Sequence, residues 1–276
     1  MQQQNQNIEI HETAFVISTF RSLNENLSGD IYAKLWSNSK TNTWLKEYLE
    51  EVSSEEVLTH CLRNRFFLEE IKKANPEVLI NFGCGFSMYP FLLNEKIINV
   101  EIDKFEVITY KKQKIKEFQE IGELPKRELH FIGVDFRESY QEKLLLQLKK
   151  IVKNRSCFIL IEGVLFFLTR KDTENLFYFF SKLQIKGDCI GSASFQNSLK
   201  QTKAFHKLLQ FFNKKVSKTK SSDWQTIEDE FYLKIPKYKL SNHQDYFSLS
   251  EKYKNKVNLD KDLILNENFY ILKRTI

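Results

Sequence analysis

The sequence predicts an α/β fold: a parallel sheet with helices on both faces, preceded by a helical cap and followed by a basic lid region. Three observations carry that reading. From Pro76 onward, short apolar runs alternate with longer amphipathic stretches, as strand–helix units joined by right-handed crossovers do. The first apolar run, Val78 to Phe82, enters a Gly83-Cys84-Gly85 turn, and glycines there let the backbone approach a ligand closely. Three successive runs end in an acid, at Asp103, Asp135 and Glu162. Ligands of open α/β sheets sit at the carboxyl ends of the strands. One acid at such a place is unremarkable, but three in register beside Gly83 and Gly85 suit a ligand with several donors.

The elements follow in order. Residues 11–27 read as a helix of fair amphipathicity, with Ala14, Ile17, Phe20 (or Arg21) and Asn24 on one side. Ser28-Gly29 breaks it, and Asp30-Ile31-Tyr32-Ala33 opens a second short helix. A long helix is expected over 54–74, with Ser53 or Ser54 as its N-cap, Glu55 and Glu56 in its first turn and Lys72 and Lys73 in its last. Asn75-Pro76 stops it. Strands are then expected over 77–82, 97–102, 129–133, 157–161 and 188–194, alternating with helices over 87–94, 104–121, 139–153 and 170–184. A basic amphipathic helix follows over 199–212, with Phe205, Leu208, Leu209 and Phe212 on its apolar side. A last strand covers 268–274.

At 276 residues, with 42% hydrophobic residues and 24 Phe, the chain has ample material for one large core. We therefore expect a single structural domain, with a cap over 1–75 and a sheet core over 76–276 that carries a substrate lid around 196–260. No apolar run is long enough to span a bilayer, and the start, MQQQNQN, is polar rather than a signal sequence. Cys61, Cys84, Cys157 and Cys189 are widely spaced with no Cys-x-x-Cys. That spacing argues for reduced thiols in the cytoplasm and against a metal site. The net charge of +6 is too modest to indicate nucleic acid. Its lysines do gather: Lys200, Lys203, Lys207, Lys214, Lys215, Lys218 and Lys220 fall in a stretch free of acids between Asp188 and Asp223. Two readings stand, a solvated helix face or a positive lid that draws in an anionic substrate.

The glycine turn narrows the ligand. Asp103 lies twenty residues after Gly83, where a ribose-binding carboxylate belongs. A dinucleotide fingerprint would have a third glycine where Met88 stands, and no basic residue in the turn serves a phosphate. A ligand with a ribose and no phosphate fits better, and S-adenosylmethionine is the common one. The plainer alternative is a turn that merely links a core strand to a helix.

Several motifs together resemble the leucine carboxyl methyltransferase family, in particular its smaller members similar to polyketide O-methyltransferases of the tetracenomycin type. They are Thr13-Ala14-Phe15 with Arg21, Asp30-Ile31-Tyr32-Ala33, CLRNRFF at 61–67, NFGCGFSMYPF, VEIDKFEVITYKK at 100–112, GVDFRE at 133–138 and LIEGVLFFLT at 160–169. The last is the most specific, and the resemblance runs from about residue 12 to 185. It implies a Rossmann-like class I methyltransferase sheet and S-adenosylmethionine as cofactor. It also implies roles: Arg63 on the methionine carboxylate, Gly83 and Gly85 beneath the methionine part, and Asp103 on the ribose hydroxyls. Asp135 would take the adenine amino group, the Phe136 amide the ring, and Glu162 the ammonium. Arg21 is a candidate for the substrate side. For Arg63 and Arg65 taken without the motif, a solvated helix face is the alternative. Two positions depart from the family: Ser87 and Tyr89 stand where an acid and an arginine are usual.

The expected activity is O-methylation of a carboxylate on a small acid or peptide terminus. The alternatives are an RNA-directed methyltransferase and a catalytically silent binding protein of the same fold. None of the five histidines (His11, His60, His130, His206, His243) falls in a family-like motif, so no histidine is expected to act as a base.

Overall fold

A computed structural model describes residues 11–136, 138–215 and 224–276. The cap comprises α1 (His11–Ser22), α2 (Glu25–Ser28), a 3-10 turn at Ala33–Trp36, α3 (Ser39–Glu51) and α4 (Glu56–Ala74). The core alternates β1 (Val78–Phe82), α5 (Tyr89–Leu92), β2 (Ile98–Asp103), α6 (Phe105–Glu120), β3 (Leu129–Gly133), α7 (Gln141–Val152), β4 (Cys157–Ile161), α8 (Arg170–Ser181) and β5 (Cys189–Phe195). The chain closes with α9 (Lys203–Lys215), α10 (Asp229–Leu233), β6 (Tyr238–Asp245), α11 (Tyr246–Lys252) and β7 (Glu267–Arg274).

Among the described residues, seven strands form one sheet, ordered β3-β2-β1-β4-β5-β7-β6. Its two faces follow from the alternation of side chains along each strand. Ile80, Phe82, Ile159 and Ile161 pack with Leu148, Leu176 and Phe180 of α7 and α8. Leu79, Phe158 and Leu160 pack on the other face with Leu62, Phe66 and Phe67 of α4. The chain order doubles back at β1, so the β1/β4 crevice is the switch point where ligands of such sheets bind.

The structure departs from the sequence reading in five places. The residue before α4 is Glu55, whose side chain makes no cap, rather than Ser53 or Ser54. The helix expected over 11–27 breaks after Ser22, because the Asn24 side chain accepts the Leu27 N–H at 3.1 Å and caps a new turn. Helix α3 was not anticipated; its core contacts come from Trp44, Leu45 and Tyr48 within an otherwise polar stretch. Its start is marked by Asn38, which accepts from the Thr41 N–H at 2.9 Å. Strand β6 was also missed. Its YKLSNHQD sequence is polar and lies at the sheet edge, with a register shift between Leu240 and Asn242. Finally, β7 is antiparallel to both its neighbours. Asp245 at the end of β6 pairs with Asn268 at the start of β7, so the connection leaves and re-enters at one sheet edge and reverses the strand.

Candidate functional site

The glycine loop after β1 is tied to β2. The N–H groups of Gly83 and Cys84 both donate to the Ile102 carbonyl, at 2.8 and 3.0 Å. Gly83 has φ +76°, and a Cβ on it would lie 2.2 Å from Cγ2 of Val164. The loops after β1 and β4 therefore touch, and only glycine fits between them. Gly85 has φ 43°, and its N–H donates to Oδ2 of Asp103 at 2.8 Å. The other oxygen, Oδ1, accepts from the Lys104 N–H at 2.8 Å. Burial pushes the Asp103 carboxyl above its usual range, while these two backbone donors pull against the shift.

Ser87 and Tyr89 are both built into this loop. The Ser87 hydroxyl donates to the Cys84 carbonyl at 2.9 Å and accepts from Asn81 Nδ2 at 2.7 Å. Beneath them lies a fully buried Lys111–Glu101 ion pair. The Tyr89 hydroxyl donates to Oε2 of Glu162 at 2.8 Å. Its own pKa is raised by burial first and by Glu162 second.

Arg63, from the middle of α4, is buried rather than on a solvated helix face. Its Nε donates to Oε1 of Glu162 at 3.1 Å. Its Nη1 donates to both carboxylate oxygens of Glu267, each at 2.9 Å. The remaining nitrogen, Nη2, lies beside Gly163. Burial disfavours the charge, but the Glu267 and Glu162 carboxylates outweigh it and raise the Arg63 pKa. Arg65, two residues on and so on the opposite side of the helix, is half-exposed and pairs with Glu69 at 2.7 Å, which is the solvated-face reading.

Arg21 comes from α1. Its Nε donates to Oδ2 of the fully buried Asp30 at 2.9 Å, and its Nη2 donates to the Phe86 carbonyl at 3.2 Å. It thereby ties the cap to the glycine loop.

These residues enclose a cavity of about 410 Å³, within the range of small-molecule sites. Arg21, Arg63, Gly83, Gly85, Asp103, Phe136 and Glu162 all line it. Asp135 does not; it sits half-buried at the same rim, next to Phe136. One wall is apolar, made by Phe136, Leu168 and Leu176. Among the described residues, the lining contains no histidine and nothing from 196–260. His60 is buried against Phe20, with ring centroids 4.9 Å apart. His243 stacks on Tyr270 and meets Asn268 at 3.0 Å. Sequence reasoning missed Glu267; the only signal was an acid just ahead of an apolar run.

The basic segment is arranged differently. Phe205, Leu208 and Phe211 of α9 pack on Val16, Phe20 and Tyr48 of the cap. The apolar side thus turns toward Phe211, while Leu209 and Phe212 are only partly buried. Lys203 pairs with Asp262 at 3.0 Å and Lys214 with Glu51 at 2.7 Å. The side chains of His11, Thr13, Ala14, Arg137, Lys215, Lys218 and Lys220 lie outside the described residues.

The model of the family described as leucine carboxyl methyltransferase matches residues 21–181, more than half of the 276 residues. The chain belongs to the leucine carboxyl methyltransferase family. S-adenosylmethionine is the family's cofactor, and the chain is an S-adenosylmethionine-dependent methyltransferase. A candidate methyltransferase from Thermobifida fusca superposes with a TM-score of 0.66 at 12% identity, over 95% of this chain and 94% of that one. A DUF574 family protein from Streptomyces avermitilis superposes with a TM-score of 0.59 at 8% identity, over 95% and 97%. Magnesium protoporphyrin IX methyltransferase from Synechocystis, solved with bound SAH, gives 0.53 at 10% identity, over 94% and 99%. At such identities these likenesses show the fold alone, the class I methyltransferase sheet. No curated protein matches the sequence. Among the described residues, no helix is long and apolar enough to cross a membrane.

Proposed function

We propose that this methyltransferase transfers the methyl group to a carboxylate oxygen of a small acid or peptide terminus, giving a methyl ester. The observation that carries this reading is the state of the acids on the cavity wall. Asp103 is held by two backbone N–H groups, Glu162 by Arg63 and Tyr89, and Asp172 by the Thr169 hydroxyl. Each of the three is engaged, so none stands ready to take a proton from an alcohol or phenol. A carboxylate is already ionised at neutral pH and needs no general base.

The residues fit the cofactor. Nη2 of Arg63 is left to meet the methionine carboxylate, a charge-assisted contact that suits a guanidinium. Glu162 beside it would meet the ammonium, and Asp103 the ribose hydroxyls. The apolar wall that includes Phe136 would take the adenine ring, with the Phe136 amide on its edge and Asp135 reaching the amino group from the rim. Gly83 and Gly85 keep the loop below the methionine part free of side chains. When bound, the cofactor supplies an electrophilic methyl on a sulfonium. The chain's part is positioning: holding the nucleophile about 3 Å from the reacting carbon supplies much of the acceleration. Arg21, at the cap side of the cavity, would orient an anionic acceptor.

The cap over residues 1–75 would close this cavity, with the basic segment around 196–260 as an outer lid. The departures at Ser87 and Tyr89 support a working site rather than a silent one, because the Ser87 hydroxyl is bonded within the loop and the Tyr89 hydroxyl to Glu162 on the cavity wall. The RNA-directed alternative rested on the lysines, of which Lys203 and Lys214 are already paired with acids.

The test transfers labelled methyl from S-adenosylmethionine to acceptors in a cell extract and treats the product with mild alkali. Volatile labelled methanol is expected. An alkali-stable product would instead assign the enzyme to hydroxyl or nitrogen acceptors.

A further inference from the structure

Arg63 is held more firmly than a ligand-binding arginine needs to be. Three of its hydrogen bonds go to two acids that arrive from different strands, Glu162 at the end of β4 and Glu267 at the start of β7. The contact with Glu267 is made at one nitrogen by both carboxylate oxygens. With the Nε–Glu162 bond as a second anchor, the guanidinium is pinned at two points, and Nη2 is the nitrogen that neither acid engages, on the side toward Gly163. Glu267 is buried and does not line the cavity. The cluster also sets two carboxylates against one guanidinium, a surplus of negative charge that favours a ligand carrying an ammonium.

We propose that Glu267 is a positioning residue, which presets Arg63 as a clamp for the amino-acid end of the cofactor. The inference rests on the cofactor placement given under the proposed function. It assigns Glu267 no contact with the ligand: its effect passes through the orientation of Arg63. Preorganisation of this kind lowers the ordering cost of binding.

The experiment compares two ligands by calorimetry. S-adenosylhomocysteine carries the amino-acid end, and methylthioadenosine lacks it. In Glu267→Gln the dissociation constant for S-adenosylhomocysteine should rise about tenfold or more. Methylthioadenosine should stay within about twofold of the parent. Glu267→Asp keeps the charge but is one methylene too short to hold both bonds, so it should show the same split at about threefold. If Glu267→Gln does not fold, the aspartate variant decides. Equal losses for both ligands, or parent affinity for both in the soluble variants, would overturn the proposal. A parent protein that binds neither ligand would instead contradict the cofactor placement itself.

Discussion

Arg63 and Arg21 are both buried, both line the cavity and both come from cap helices, yet their surroundings differ in kind. Arg21 faces one acid, Asp30, and otherwise meets backbone and Ser18. Its charge is balanced, and it acts as a staple between the cap and the glycine loop. Arg63 faces two acids, and a third carboxyl, Glu56, lies close enough to feel both Glu267 and Arg63. Burial and the Glu267 charge push Glu56 up to about 8, although Tyr48 and Arg63 pull it back. A buried arginine in a cavity wall can thus serve as a structural pin or as a charged clamp. The count of surrounding carboxylates separates the two.

The largest effect should come from Arg63→Ala. It leaves Glu162 and Glu267 buried together without their cation, which should cost about 3–5 kcal/mol of stability and abolish cofactor binding. Arg63→Lys should restore stability in part but little affinity, because an ammonium lacks the planar fork. Denaturant unfolding and calorimetry on both variants check this, and full affinity in the lysine variant would reduce Arg63 to a point charge.

A smaller effect comes from Glu56 and depends on pH. The folded protein holds the Glu56 proton more tightly than the unfolded chain does, so stability from this group is lost as pH rises from about 4.5 toward about 8. Buried His60 works in the opposite sense, its pKa lowered by burial first and by Arg63 second. Its contribution is lost as pH falls below the ordinary histidine value of 6.5, so the window from there up to about 8 isolates Glu56. Across it, the parent should lose on the order of 2 kcal/mol relative to Glu56→Gln, whose amide stands in for the protonated acid. Urea titrations of both proteins at the two ends of that window measure it; parallel curves would show Glu56 ionised throughout.

Arg21→Lys should be milder still. If Arg21 is a staple that also faces the acceptor, cofactor affinity stays within about twofold while KM for the acceptor rises. A loss of cofactor affinity as large as that of Arg63→Lys would erase the distinction between the two arginines. Least of all is expected from Lys214→Ala. Its partner Glu51 and its own ammonium are both solvated, so neither the unfolding midpoint nor cofactor affinity should move measurably.

The core from Val78 to Phe195 was legible in the sequence because each apolar run there is bounded by a turn residue or an acid. Strand ends fell within a residue or so of their observed places. The C-terminal third was not, since β6 alternates weakly at a solvated edge and the reversal of β7 depends on a connection that carries no periodic signal. Of the motif residues given a role in the site, all but Asp135 line the cavity. Glu267 was invisible because its meaning lies in a contact with Arg63 across 204 positions. Tyr89 read as a departure from the family, whereas its hydroxyl in the fold reaches Glu162.

We propose that the cavity at the β1/β4 switch point holds the cofactor, with Asp103 on its ribose. Calorimetric titration with S-adenosylhomocysteine tests it most directly, run on the parent and on Asp103→Ala. One site per chain is expected, with a dissociation constant on the order of micromolar, weakened in the variant by about 1.5–3 kcal/mol as charged hydrogen bonds are lost. Equal affinity in the two proteins, or no binding by the parent, would contradict it.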